Sequence, residues 1–205
     1  MELDKSLFFK VNEMDCEFRT LNDSDVSKKY VDGLKEQTKY IINIPKNVSI
    51  CSQKKYVRDV LCSKDDTIFG LFINNKLVGT AGIQSSTLYL QYIEVPAKFV
   101  ATIGIFLFDK NYRGMKLGTT LVWATTYLYS NCVQVEWFGA GMEKENIPSM
   151  KSFLSCGFKQ IYEVKENFRV LINNSELTKP RFIKDSTLSV KSNKVQHYIK
   201  HEFQN

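Results

Sequence analysis

The chain has 205 residues, 43% apolar and 24% charged, and a formal net charge of +6. That length suits one domain with its own core, and the mixture is that of a globular chain, not a disordered or fibrous one. No apolar run approaches the ~20 residues that cross a bilayer, and MELDKSLFFKVNEMD has early acids and no apolar signal core; the cytoplasm is the expected compartment, with no membrane partner.

In chain order, residues 16–21 read as a first strand. Asn22 or Ser24 can cap a helix over 25–35, with Val26, Tyr30, Val31 and Leu34 on one face. Residues 49–62 hold a second helix, striped by Tyr56, Val57, Val60 and Leu61. The period then changes. Residues 67–73 and 76–84 are strands joined by Asn74-Asn75, a two-residue hairpin signal. Residues 87–95 and 99–108 are two more. The last is apolar on both faces, which predicts a central strand with cover on both sides. Residues 117–130 read as a helix with Leu117, Leu121, Ala124 and Leu128 at helical spacing, and 133–141 as a strand. Asn146, with Pro148 in the first turn, opens a short helix that Gly157 ends. Residues 158–164 and 168–172 make a closing hairpin. The result is a mixed sheet with helices packed on it, over 1–174. Residues 175–205 are a C-terminal extension of unassigned role: disorder is preferred to an arm or an oligomer contact, a homo-oligomer stays open, and 194–203 has the pattern of a short helix.

The cysteines are Cys16, Cys51, Cys62, Cys132 and Cys156. An odd count without a C-x-x-C pair argues against a disulfide framework or zinc site, and each is read as a small buried apolar residue. The histidines, His197 and His201, sit at the very end, so no metal centre or Ser-His-Asp triad is expected. The positive charge suits a polyanionic small ligand. It is not packed into a basic block with interleaved aromatics, so no nucleic-acid partner is expected.

The segment TIGIFLFDKNYRGMKLGTTLVW carries the chemistry. An apolar strand runs into a turn with Gly114 and Gly118, then into a helix. The first N–H groups of a helix lack intrahelical partners and its dipole adds positive charge, so phosphate binds there. Arg113 and Lys116 add full charges. The lysine precedes the second glycine, unlike a P-loop, and no G-x-G-x-x-G is present. About thirty residues on comes ENIPSMKSFLSCGF, with Asn146 placed to cap a helix or reach a ligand.

Together these two segments resemble the GNAT superfamily of acyl-CoA N-acyltransferases. Arg113 and Gly118 match the ends of its (Gln/Arg)-x-x-Gly-x-(Gly/Ala) loop, with Lys116 in place of the middle glycine. Asn146, Ser149, Phe153, Gly157 and Phe158 match its later N-x-x-(A/S)-x-x-x-(Y/F)-x-x-x-G-F helix. The resemblance implies an α/β (α+β) fold: a mixed, mostly antiparallel central sheet, splayed at the acyl-CoA site, with helices on both faces. It implies acetyl-CoA as co-substrate and no metal. Backbone groups of Phe106, Leu107 and Phe108 would bond the pantetheine arm. N–H groups of Arg113, Gly114, Met115, Lys116, Leu117, Gly118 and Thr119 would take the pyrophosphate. Asn146 would hold the pantetheine, and Ser149 and Phe153 would line the thiol end.

The implied reaction is attack of a neutral amine on a thioester. It needs a base or water chain for the ammonium proton and a donor for the oxyanion. Many family members place a tyrosine acid where Phe153 stands, and phenylalanine cannot donate; a thiolate leaves adequately unaided because free thiols have a pKa near ~8.5. Base candidates are Glu94, Glu136 and Tyr92, with Glu94 ahead. The opening FRTLNDSDVSKKYVDGLK is similar to ribosomal-protein-serine/alanine acetyltransferases and to amino-sugar-acetylating relatives. The leading expectation is therefore an N-acetyltransferase acting on a small amine, an amino-sugar or nucleotide-linked amino-sugar of surface polysaccharide synthesis. The alternatives are acetylation of a protein N-terminus and a non-catalytic CoA-binding module.

Overall fold

The computed structural model describes residues 5–36, 47–63, 65–86, 100–133, 135, 137–164, 168–173, 179–191 and 196–199. Two tight turns set the first half of the sheet. Strands β1 (Lys5–Val11) and β2 (Met14–Thr20) join through Asn12 and Glu13, at φ 48° and 63°. Strands β3 (Asp66–Ile73) and β4 (Lys76–Ser86) join through Asn74 and Asn75, at φ 50° and 60°. Positive φ at both central residues gives the turn whose twist matches that of the strands. The second hairpin is the one expected. The first adds a whole strand ahead of 16–21.

Between the hairpins lie α1 (Lys28–Glu36) and α2 (Ile50–Leu61). Ser27 Oγ accepts from the Tyr30 N–H, and Ser49 Oγ from the Ser52 N–H. Asn22 instead opens a short 3-10 turn, Asp23–Asp25, which Arg19 grips through both oxygens of Asp25 at 2.8 Å. Then follow β5 (Val100–Leu107), α3 (Leu117–Ser130), β6 (Phe138–Glu143), α4 (Ile147–Leu154), β7 (Lys159–Val164), β8 (Phe168–Asn173), β9 (Ile183–Lys191) and β10 (Gln196–Ile199). The predicted strand 87–95 lies outside the described residues. The predicted strand 133–141 starts later, at Phe138, because the Val133 N–H still bonds the Tyr129 carbonyl at the end of α3.

All ten strands join one sheet, in the order β10-β9-β1-β2-β3-β4-β5-β6-β8-β7. Every neighbouring pair is antiparallel except β5–β6. The tail is part of the sheet: β9 pairs along β1, Ile183 is buried in the main core, and 196–199 are strand where a helix was expected.

Helices cover both faces, as expected for this fold. On one face α3 and α4 pack on Leu7, Phe9, Leu71, Ala81, Ile83, Ala101, Ile103, Phe138 and Ala140. On the other, α1 and α2 pack on Ile68, Phe72, Phe106 and Phe108. Cys16 and Cys156 are buried, and burial pushes both thiols up to about 12, leaving them protonated and inert. Cys51 and Cys62 are exposed at the two ends of α2, which corrects the expectation that every cysteine is buried.

Candidate active site

Strand β5 pairs with β4 along its whole length, from Gly79↔Leu107 to Ser86↔Val100. It pairs with β6 only at Ala101↔Phe138 and Thr102↔Gly139. Beyond Thr102 the two strands part, and the sheet is open between them. The Ala101 N–H bonds the Trp137 carbonyl, so odd positions of β5 aim their backbone groups at β6. By this alternation the groups facing the opening past Thr102 include those of Ile103 and Ile105. Phe106 pairs with Thr80, and its carbonyl oxygen lies on the Gly79 side. Of the expected trio 106–108, Phe106 therefore spends its backbone on the β4 ladder. The Phe106 and Phe108 rings are buried against Tyr30, at 6.2 and 5.4 Å.

The open end of β5 leads straight into the loop before α3. Asp109 is nearly buried; its Oδ1 accepts from the Asn111 N–H at 3.2 Å and its Oδ2 bonds Lys29 of α1. Gly114 follows at φ +78, a conformation that suits glycine. Lys116 is at φ 64°, ψ 13°, left-handed, although it carries a side chain. Its carbonyl accepts from the Thr120 N–H at 3.0 Å, which starts the helix. The Arg113 N–H is already bonded to the Lys110 carbonyl at 3.2 Å, so it is not among the free donors expected at this site. Among the described residues the N–H groups of Gly114, Met115, Lys116, Leu117, Gly118 and Thr119 have no acceptor. Arg113 and Lys116 are exposed, with no carboxylate partner among the described residues. Six converging N–H groups, a helix N-terminus and two cations fit a pyrophosphate, and the unpaired edge of β5 fits the amide-bearing arm that follows it in CoA.

The second motif lies against the first. A Cβ on Gly118 would come 2.7 Å from Ser152 Oγ, so only glycine lets α3 approach α4 this closely. The Cys156 thiol donates to the Thr119 carbonyl at 3.4 Å. Asn146 caps α4, its Oδ1 accepting from the Ser149 N–H at 3.3 Å. Phe153 is 2% exposed and packs edge-on against Phe158, so it serves the core and not the lining of a cleft. Glu94, Tyr92 and Glu136 lie outside the described residues. Among the described residues no group of His, Cys, Asp and Glu gathers to hold a metal ion.

A model of the acetyltransferase (GNAT) family matches residues 38–158. The chain belongs to this family. GNAT members use acetyl-CoA, and this chain is an acetyl-CoA-dependent N-acetyltransferase by that membership. No curated protein sequence matches it. Solved structures share its fold at low identity. A Mycobacterium smegmatis RimJ in complex with a CoA disulfide is 14% identical over 85% of this chain and 88% of its own, with a TM-score of 0.66. A ribosomal-protein-S5-alanine acetyltransferase from Vibrio fischeri is also 14% identical, over 82% and 97%, at 0.63. The aminoglycoside acetyltransferase AAC(6')-Ib, in complex with coenzyme A and kanamycin, is 17% identical over 78% and 94%, at 0.62.

Two features of this GNAT loop escaped the sequence: the left-handed backbone of Lys116, and its ammonium over the Phe182 ring, 4.8 Å from the centroid. Both follow from long-range placement, since Phe182 leads into β9. Lys116→Ala keeps the left-handed strain and loses the charge; Lys116→Gly loses both. Left-handed backbone costs a non-glycine residue about 1–2 kcal/mol, so the glycine variant should be more stable than the alanine variant by about 1 kcal/mol in urea titrations. Both, like Arg113→Ala, should raise the KM for acetyl-CoA about five-fold, the equivalent of ~1 kcal/mol for an exposed ionic contact. An unchanged KM in all three would make the loop only a turn.

Proposed function

We propose that this acetyltransferase moves the acetyl group of acetyl-CoA onto the amine of a small acceptor, an amino-sugar or nucleotide-linked amino-sugar, in the cytoplasm. The co-substrate supplies an acetyl carbon activated as a thioester. The chain's part is to bind and orient. The loop 114–119 takes the pyrophosphate, and the free edge of β5 takes the pantetheine arm. An N–H of Ile103 or Ile105 is placed to stabilise oxyanion charge. With Phe153 packed in the core, no tyrosine acid stands on α4, and the acceleration comes chiefly from proximity and orientation. Glu94, Glu136 and Tyr92 remain the candidates for taking the proton of the amine.

The observation that carries this reading is the junction of the two motif segments: loop 113–118 and α4 abut, beside the one place where neighbouring strands part. The sugar acceptor is supported by the excess of positive charge, which suits nucleotide phosphates. Kanamycin in the fold neighbour shows that this architecture serves amino-sugar chemistry elsewhere. The test is free-CoA release from acetyl-CoA with a panel of 3-amino- and 4-amino-sugar nucleotides and of peptides with free N-termini. Release with one or more sugars and with none of the peptides is expected. Release with peptides alone would establish the N-terminal alternative, and tight acetyl-CoA binding without any release would make the chain a binding module.

A further inference from the structure

Not every glycine of the central sheet has a reason inside the protein. Gly70 does: a Cβ there would come 2.7 Å from Leu77 Cδ1 and from the Phe72 ring. Gly79 does as well, with the Phe106 carbonyl at 3.0 Å and Leu121 at 3.1 Å. At Gly82 and Gly104 a Cβ would meet nothing within 4 Å, and neither has a positive φ. Yet glycine weakens a strand interior. The two stand directly opposite each other on β4 and β5. Gly104 is exposed in a strand whose neighbours Ala101, Ile103 and Phe106 are buried.

The face they share follows from alternation along the strands. Ala81, Ile83, Ala101 and Ile103 point to the α3 side, so Gly82 and Gly104 look the other way, toward the side of α1 and α2. At one end of the bare strip Thr80 is hydrogen-bonded to the hydroxyl of Tyr30, whose ring meets that of Phe106. At the other end stand Thr102 and, opposite it, the exposed Gln84. Thr102 Oγ1 is buried without a hydrogen-bond partner. Such a hydroxyl is costly to leave unpaired. Thr102 is also where β5 and β6 last pair, so the strip adjoins the point at which the sheet opens.

We infer that the strip formed by Gly82 and Gly104 is the seat of the acceptor, and that it takes a ring-shaped amine lying flat on the sheet, held at its rim by Thr102 and Gln84. This rests on the acetyltransferase reading and names the acceptor's shape. Opposite Cβ positions are ~5 Å apart across strands and next-nearest ones ~7 Å, so two missing side chains clear the footprint of one six-membered saturated ring. The backbone groups of both glycines are used in the β4–β5 ladder. A peptide main chain, which binds sheets through free edge groups, finds none here; the apolar face of a ring needs none.

Gly82→Ala and Gly104→Ala place a methyl group in open space at ordinary backbone angles, so thermal melting should show folding unharmed. Binding is read by ligand-observed NMR with methyl 4-amino-4-deoxyglucopyranoside in the presence of CoA, which does not require turnover. Wild type should bind it. Each alanine variant should weaken binding at least ten-fold, Thr102→Val should weaken it several-fold, and acetyl-CoA affinity should stay within two-fold in all three. Equal binding by wild type and the alanine variants, or none by wild type, would overturn the seat. Free-CoA release by wild type, measured separately, decides the acetyltransferase reading, so seat and reaction can fail independently.

Discussion

Trp123→Ala is expected to destabilise the protein by about 3–5 kcal/mol, the range for removing a large aromatic from a core. Trp123 is 1% exposed in the middle of α3. Phe9 of β1 meets it edge-on at 5.3 Å, and Tyr127 stacks on it at 5.4 Å, with 20° between the planes. The Lys179 ammonium lies 6.0 Å from its centroid, just ahead of β9. One ring therefore joins the helix that starts at the CoA loop, the first strand and the chain's return to the sheet edge. The void is bordered by Phe9, in a strand hydrogen-bonded on both sides, so it cannot collapse readily. For a chain of this size the melting temperature should fall on the order of 10 °C, with Trp123→Phe recovering part of the loss. A loss under ~1 kcal/mol in urea titrations would mean that neighbouring side chains fill the space.

What could be read from the sequence is what is local. The Asn74-Asn75 turn, the Ser49 cap and the helix 117–130 depend on residues within a few positions of each other, and they stand where expected. The phosphate loop was legible for the same reason: glycines, cations and a helix start are adjacent in the chain. The first hairpin was not, because Glu13 adopts φ 63° without being a turn-forming residue type. Strand β9 was not, because its partner β1 lies some 180 positions away and its register slips between Phe8 and Lys10. The loop's left-handed lysine and the committed N–H of Arg113 are set by neighbours in space. The Gly82–Gly104 strip needs the register of β4 on β5 before the two glycines become one feature. Asn146 and Phe153 show the reverse case: the motif picked out both, and the structure gives them ordinary work, a helix cap and a core ring.

Gly33→Ala is expected to cost stability and to weaken acetyl-CoA binding together, because α1 rests directly on the strand end that launches the loop. A Cβ on Gly33 would come 2.5 Å from Phe108 Cβ, closer than carbon atoms approach. Around that contact Tyr30 packs on Phe106 and Phe108, Lys29 pairs with Asp109, and Glu36 pairs with Lys110 at 2.6 Å. Two effects compete. Alanine improves helix propensity over glycine by about 1 kcal/mol, and overpacking a tight contact costs about 1–3 kcal/mol. The clash is between two Cβ atoms, which no rotamer change relieves, so the net effect should be a loss of roughly 1–2 kcal/mol. Phe108 or α1 must give way, and either movement carries Asp109 and the turn it caps. The KM for acetyl-CoA should rise about ten-fold, equivalent to ~1.4 kcal/mol, while Lys35→Ala on the exposed side of the same helix changes neither quantity. A Gly33→Ala enzyme that melts lower but keeps its KM would confine α1 to support of the fold; a joint shift makes α1 the element through which the acceptor face and the CoA loop are held in register.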